Sequence, residues 1–125
     1  MASGSDLMIP ASTLIIARDT SSGPPEMLML ERAGGMRFAA GALVFPGGRL
    51  DDDDMNIASK LAHGRDDAIE EIASRIAAIR ETIEETGIAI GLDPAPGSDM
   101  VAALRAELAR GATFSGLLSD AGLSP

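Results

Sequence analysis

The stretch Arg80-Glu81-Thr82-Ile83-Glu84-Glu85-Thr86-Gly87 decides how the chain is read. Just upstream, Ile69, Ile72, Ile76 and Ile79 lead into Ile83 at steps of three and four, the core-facing stripe of one amphipathic helix. The helix is expected to be capped by Asp66 or Asp67 and to run to about Thr86. Gly87 suits the left-handed position that ends it. On that helix Glu81, Glu84 and Glu85 fall on one face, because residues three and four apart are neighbours. Like charges so placed repel, so stability alone does not favour the cluster. A hard divalent cation reverses that cost, since it prefers carboxylate oxygens.

Working outward, Phe45-Pro46-Gly47-Gly48 stops a short apolar run at residues 42–45 that reads as a strand. Two earlier strands are expected at 12–18 (STLIIAR) and 26–32 (EMLMLER), joined as a hairpin by the turn-rich 19–25. Residues 1–10 form a leader, and 33–41 a Gly-rich loop. Asp51 to Asp54 opens a polar segment running to about Arg65. Past Gly87, Ile88-Ala89-Ile90 suggests a fourth short strand and 93–97 a loop. Ser98 is the expected cap of a helix with Val101, Leu104 and Leu108 inward and Gly111 after its end; residues 113–121 form one more short helix. Four short strands beside a long amphipathic helix make an α/β domain. Its sheet reads as incomplete, because nothing after Ile90 has strand character.

Composition narrows the function. A chain of 125 residues is one domain with one core. Nineteen acidic against ten basic residues give a net charge of −9, which argues against non-specific nucleic-acid or anionic-membrane binding. A phosphorylated small molecule stays open, since a bound metal offsets its charge. With no cysteine, disulfides, thiolate metal sites and cysteine nucleophiles are excluded. The first ten residues lack the basic start and apolar run of a signal peptide. Leu14-Ile15-Ile16-Ala17, the longest aliphatic run, is far too short to span a bilayer. A cytoplasmic protein is the expectation. Phe38, Phe45 and Phe114 are the only aromatics, so few side chains are available to stack a nucleobase.

The helix motif together with the upstream FPGG resembles the Nudix box of the Nudix hydrolases. That box reads Gly, five residues, Glu, seven residues, Arg-Glu, an apolar residue, any residue, Glu-Glu, any residue, Gly, apolar. Arg80, Glu81, Glu84, Glu85, Gly87 and Ile88 match its second half in register, and Gly47-Gly48 is similar to its opening. The resemblance covers about residues 11 to 90. Three departures stand out. Between Gly48 and Arg80 lie 31 residues, 18 more than the ungapped box has. Counted back from Arg80, the first box Glu falls on Ile72, with Glu71 about 100° away around the helix. Thr82 occupies an apolar position. An insertion after FPGG with an RETxEE core is similar to the branch containing coenzyme A diphosphatases, and places the insert at about 49–66.

The resemblance implies a Nudix-like α/β/α sandwich with a mixed sheet. Residues 98–125 would be a helical tail and the later strands absent, as in a C-terminally truncated domain. It implies Mg²⁺ or Mn²⁺ held by Glu81, Glu84, Glu85 and the Gly47 carbonyl, with Arg80, Glu81 and Glu84 in catalytic roles and Gly48 beside the substrate. A metal there neutralises phosphate charge and lowers the pKa of a bound water. Arg80, with its planar fork of donors, would orient the carboxylates. The implied activity is hydrolysis of a diphosphate bond in a nucleoside diphosphate linked to another moiety, a coenzyme A-like compound among them. The competing reading is a catalytically incomplete Nudix-derived module that binds a ligand or partner. Expected partners are a small-molecule diphosphate and a second copy of the chain covering an open sheet edge, with neither nucleic acid nor membrane.

Other residues have plainer readings beside functional ones. Arg32 and Arg37 either reach a substrate phosphate or balance an acidic surface. Asp51 to Asp54 reads as a charged loop more than a second metal contact, and Glu70 and Glu71 as surface residues more than ligands. His63, the single histidine, reads as an exposed loop residue.

Overall fold

The structure is a computed structural model and describes residues 10–31 and 41–125. The described residues hold six short strands: β1 (Ala11–Thr13), β2 (Ala17–Arg18), β3 (Glu26–Met27), β4 (Leu30–Glu31), β5 (Leu43–Val44) and β6 (Gly47–Arg49). They form three antiparallel two-stranded ladders among the described residues. β1 pairs with β6, placing Ser12 opposite Gly48 and Thr13 opposite Gly47. β2 pairs with β3 as the expected hairpin, and β4 with β5. The single strand expected over 12–18 is thus divided between two partners. Leu14 N–H donates to Pro46 O at 2.8 Å, and Leu28 N–H to Ile16 O at 2.9 Å, so the ladders run on between the regular pairs. The FPGG loop is therefore also a strand edge. Its last residues are pinned to β1.

Four helices follow: α1 (Asp52–Leu61), α2 (Ile69–Thr86), α3 (Ser98–Ala109) and α4 (Phe114–Ala121). Helix α1 corrects the reading of 51–54 as a loop. Asp51 accepts from Asp54 N–H at 3.0 Å while the Asp54 carboxylate accepts from Asp51 N–H at 2.9 Å, a reciprocal capping box. Three aspartates in the first turn also complement the helix dipole. Helix α2 starts later than expected. Asp66 to Ala68 form a 3-10 turn, and Ala68 sits at the cap with no side-chain hydrogen bond, so neither Asp66 nor Asp67 caps α2. At the other end Gly87 closes it at φ 72°, as its sequence position predicts. Gly97, not Ser98, holds the cap position of α3. Thr113 caps α4 by accepting from Gly116 N–H.

Residues 88–90 are not a strand. Ile88 N–H donates to Thr86 Oγ1 at 3.0 Å instead of to a ladder partner. Ile88 and Ile90 stay 38% and 40% exposed.

The core lies where the isoleucine stripe of α2 meets α1, α3 and α4. Ile76 and Ile83 are buried there with Leu104, Phe114 and Leu118, and Ile72 and Ile79 pack against them. Each such side chain contributes about 1.5–3 kcal/mol on burial. Polar contacts fix the tail onto this core. Ser115 N–H and Oγ–H donate to the Asp53 carboxylate at 2.9 and 2.6 Å, and Asp93 and Ser124 exchange backbone bonds at 2.7 and 2.8 Å. The strand layer is barer, since Ile15, Met27 and Leu43 are more than half exposed. Among the described residues no helix is long and apolar enough to cross a membrane.

Candidate active site

The two glycines of the FPGG loop are fixed by different neighbours. A Cβ on Gly47 would lie 2.2 Å from Ser12 O and 2.8 Å from Thr13 Cα, both backbone atoms of β1. A Cβ on Gly48 would instead meet the Glu81 carboxylate at 2.6–2.9 Å. The absent side chains therefore let β6 close on β1 on one side and let Glu81 reach the loop on the other. Glu85 completes the junction, accepting from Gly47 N–H at 3.0 Å. Loop and helix thus meet through both carboxylates.

Arg80 is the hub of the cluster. Arg80 is only 6% exposed, and all five N–H groups of its guanidinium donate. Nη1 donates to Glu81 Oε1 at 3.1 Å and to Glu84 Oε2 at 3.2 Å. Nε and Nη2 grip the two oxygens of Asp54 at 3.1 and 2.9 Å, and Nη2 also donates to Arg49 O at 3.1 Å. Asp51 stands 3.5 Å away. Burial works against the Arg80 charge, but Asp54, Asp51 and Glu81 outweigh it and hold the guanidinium protonated above its ordinary range. A planar fork satisfied on every edge cannot rotate freely. It fixes the two glutamates it touches.

Asp54 is fully buried, and its role was not visible from the helix motif outward. A forward count from Gly48 reveals it: five residues intervene, and the sixth is Asp54. Asp54 therefore stands at the spacing that the resemblance gives its first acidic residue, with Asp in place of Glu. Asp54 and Arg80 are separated by 25 residues where the ungapped box has seven, so the extra 18 lie between them and not after Gly48. This corrects the count back from Arg80 to Ile72. Ile72 packs against the core, and Glu71 is exposed and paired with Arg75 at 2.8 Å. The third departure also resolves. Thr82 is wholly buried like an apolar residue, with its hydroxyl donating to Ala78 O at 2.7 Å.

Burial raises the pKa of Glu84, and nearby Glu81 and Asp51 add to the rise against the opposing pull of Arg80. Burial also raises Glu85, the Gly47 N–H bond opposes it, and Glu81 adds to the rise. Two carboxylates held above their usual range beside a third suit a cation, which would relieve both burial and repulsion. The donor chemistry of Glu81, Glu84, Glu85 and the Gly47 loop therefore fits a hard divalent ion. Among the described residues, no three acidic or histidine side chains already converge to hold one. Arg80 and Gly47 N–H engage the carboxylates instead.

Of the residues expected from sequence, Gly47, Gly48, Arg80, Glu81, Glu84 and Glu85 come together here. Arg32 and Arg37 lie outside the described residues, as does Phe38. His63 is exposed in the turn after α1, and Glu70 is exposed on α2.

No family model matches the chain. Among solved structures it is similar to a Nudix hydrolase from Alicyclobacillus acidocaldarius, with 31% sequence identity and a TM-score of 0.70. The likeness covers 94% of this chain and 56% of that one, so the chain spans little more than half the length of its solved counterpart. The α/β architecture, with its short antiparallel ladders and its glutamate-bearing helix, is a Nudix-like fold.

Proposed function

We propose that the chain is a Nudix-type pyrophosphohydrolase domain that hydrolyses a diphosphate bond in a nucleoside diphosphate linked to another moiety. The observation that carries this reading is the Arg80 hub, which holds Glu81 and Glu84 on the helix face that meets Gly47 and Gly48. Glu81, Glu84 and Glu85, with the Gly47 carbonyl, would hold Mg²⁺ or Mn²⁺. When bound, such an ion neutralises phosphate charge and lowers the pKa of its water. This chain's own contribution is positional. Arg80 orients carboxylates, and Gly48 lets the Glu81 carboxylate close on the loop. One of the three glutamates would serve as the proton acceptor for the attacking water.

Hydrolysis of a panel of nucleoside diphosphate conjugates with Mg²⁺ or Mn²⁺ tests the reading. Coenzyme A-like diphosphates belong on the panel because an insert within the box resembles that branch. Turnover that survives Glu84→Gln combined with Glu85→Gln unchanged would show the site assignment to be wrong. The engagement of all three glutamates by Arg80 and Gly47 N–H favours a second reading, a binding module without turnover. Calorimetric titration separates the two: stoichiometric cation binding without hydrolysis selects the module.

A further inference from the structure

We infer that Arg105, on α3, is a positioning residue for Glu84 and Glu85. The inference rests on the proposed role of those glutamates. A helix leaves its last carbonyls without intrahelical donors, and each needs a partner. At the end of α2, Ile83 O accepts from Gly87 N–H at 2.9 Å. Glu84 O and Glu85 O accept from Arg105, through Nε at 3.0 Å and Nη2 at 3.2 Å. The carbonyls that Arg105 holds thus belong to the two residues whose side chains enter the candidate site from the far end of the helix. Their backbone is fixed from behind while Arg80 and Gly47 fix their carboxylates in front.

Two further features make this more than a surface contact. A Cβ at Gly87 would lie 3.3 Å from Arg105 Nη1, so the glycine that ends α2 also makes room for the guanidinium. Arg105 in turn projects from a helix anchored by Val101, Leu104 and Leu108, all buried, so its base does not drift. A forked donor spanning two consecutive carbonyls is a task for arginine. A lysine ammonium supplies the charge but not the fork. The helix dipole favours either cation at this end.

The test compares wild type, Arg105→Ala and Arg105→Lys by amide hydrogen exchange and by titration with Mn²⁺ alone. Losing a charge-assisted bond at an exposed helix end corresponds to roughly five- to tenfold faster local opening. We expect that increase at the amides of Gly87 and Ile88 in Arg105→Ala, most of it persisting in Arg105→Lys. Amides within α1, such as Ala62 bonded to Ala58 O, should be unchanged, which separates a local effect from general destabilisation. Mn²⁺ binding should weaken by a similar factor in both variants. Full rescue by lysine, unchanged exchange at Gly87 and Ile88, or Mn²⁺ affinity within twofold of wild type would each overturn the inference. If wild type itself binds no Mn²⁺, the proposed function fails first, a distinct result.

Discussion

Removing the Asp54 carboxylate should destabilise the fold by about 3–4 kcal/mol, the scale expected when one partner of a buried ion pair is deleted. Asp54 is 0% exposed and Arg80 6%, so water cannot readily replace the lost oxygens. Nε of Arg80 loses its partner, whereas Nη1 keeps Glu81 and Glu84 and Nη2 keeps Arg49 O, which holds the loss to the lower part of the range. The half of the α1 capping box made by the Asp54 carboxylate is lost as well, while Asp51 still accepts from the N–H of residue 54. A chain of 125 residues has roughly 6–19 kcal/mol in total, so Asp54→Ala should still fold. Asp54→Asn keeps one acceptor oxygen and should lose about half as much, on the scale of one charge-assisted hydrogen bond. Urea unfolding at neutral pH measures both losses. The double variant Asp54→Leu with Arg80→Met should recover most of the Asp54→Ala loss, because no stranded charge remains. A loss below about 1 kcal/mol for Asp54→Ala, or no recovery in the double variant, would refute the reasoning that the pair is a desolvated, mutually dependent unit.

Three more outcomes follow from the same geometry. Glu84 has a raised pKa, so its contribution to stability is full below the unfolded value of 4.5 and is lost as pH rises through its folded value; metal-free Glu84→Gln should therefore gain in melting temperature over wild type at pH 7 but not at pH 4, and an equal difference at both pH values would contradict this. Gly47→Ala should cost about 1–3 kcal/mol in chemical unfolding, because its Cβ meets immovable β1 backbone. Gly48→Ala should change stability less and Mn²⁺ affinity more, because the Glu81 side chain can swing away; the reverse ranking would show the loop is placed otherwise. Ser115→Ala should lose about 1 kcal/mol, the usual net worth of one hydrogen bond, since Ser115 N–H still reaches Asp53; a loss indistinguishable from zero would show that α4 docks through its apolar residues alone.

Much of the candidate site was legible because its spacing is local. Glu81, Glu84 and Glu85 share a helix face by periodicity, and Gly87 ends that helix because its left-handed angle disfavours other residues. Asp51 and Asp54 also carried a local signal, since acids three apart at a helix start form a capping box; the charge run around them disguised it as a loop. The strand at 12–18 was read as one element because its apolar run is continuous. Its division between β6 and β3 depends on partners about thirty-five and ten residues away, and no local pattern specifies those. Ile88-Ala89-Ile90 shows the opposite error: strand composition without a ladder partner does not make a strand.

By itself, then, the sequence determined the α2 helix, the acidic face on it and the glycine loop expected opposite, because helix periodicity and glycine geometry are properties of neighbouring residues. The tertiary structure alone decided what holds that face in place. Asp54 lies 26 residues from Arg80, and Arg105 lies 21 and 20 from Glu84 and Glu85. Such contacts exist only after the core formed by α1, α2, α3 and α4 brings their helices together, since burial selects which distant charges must meet.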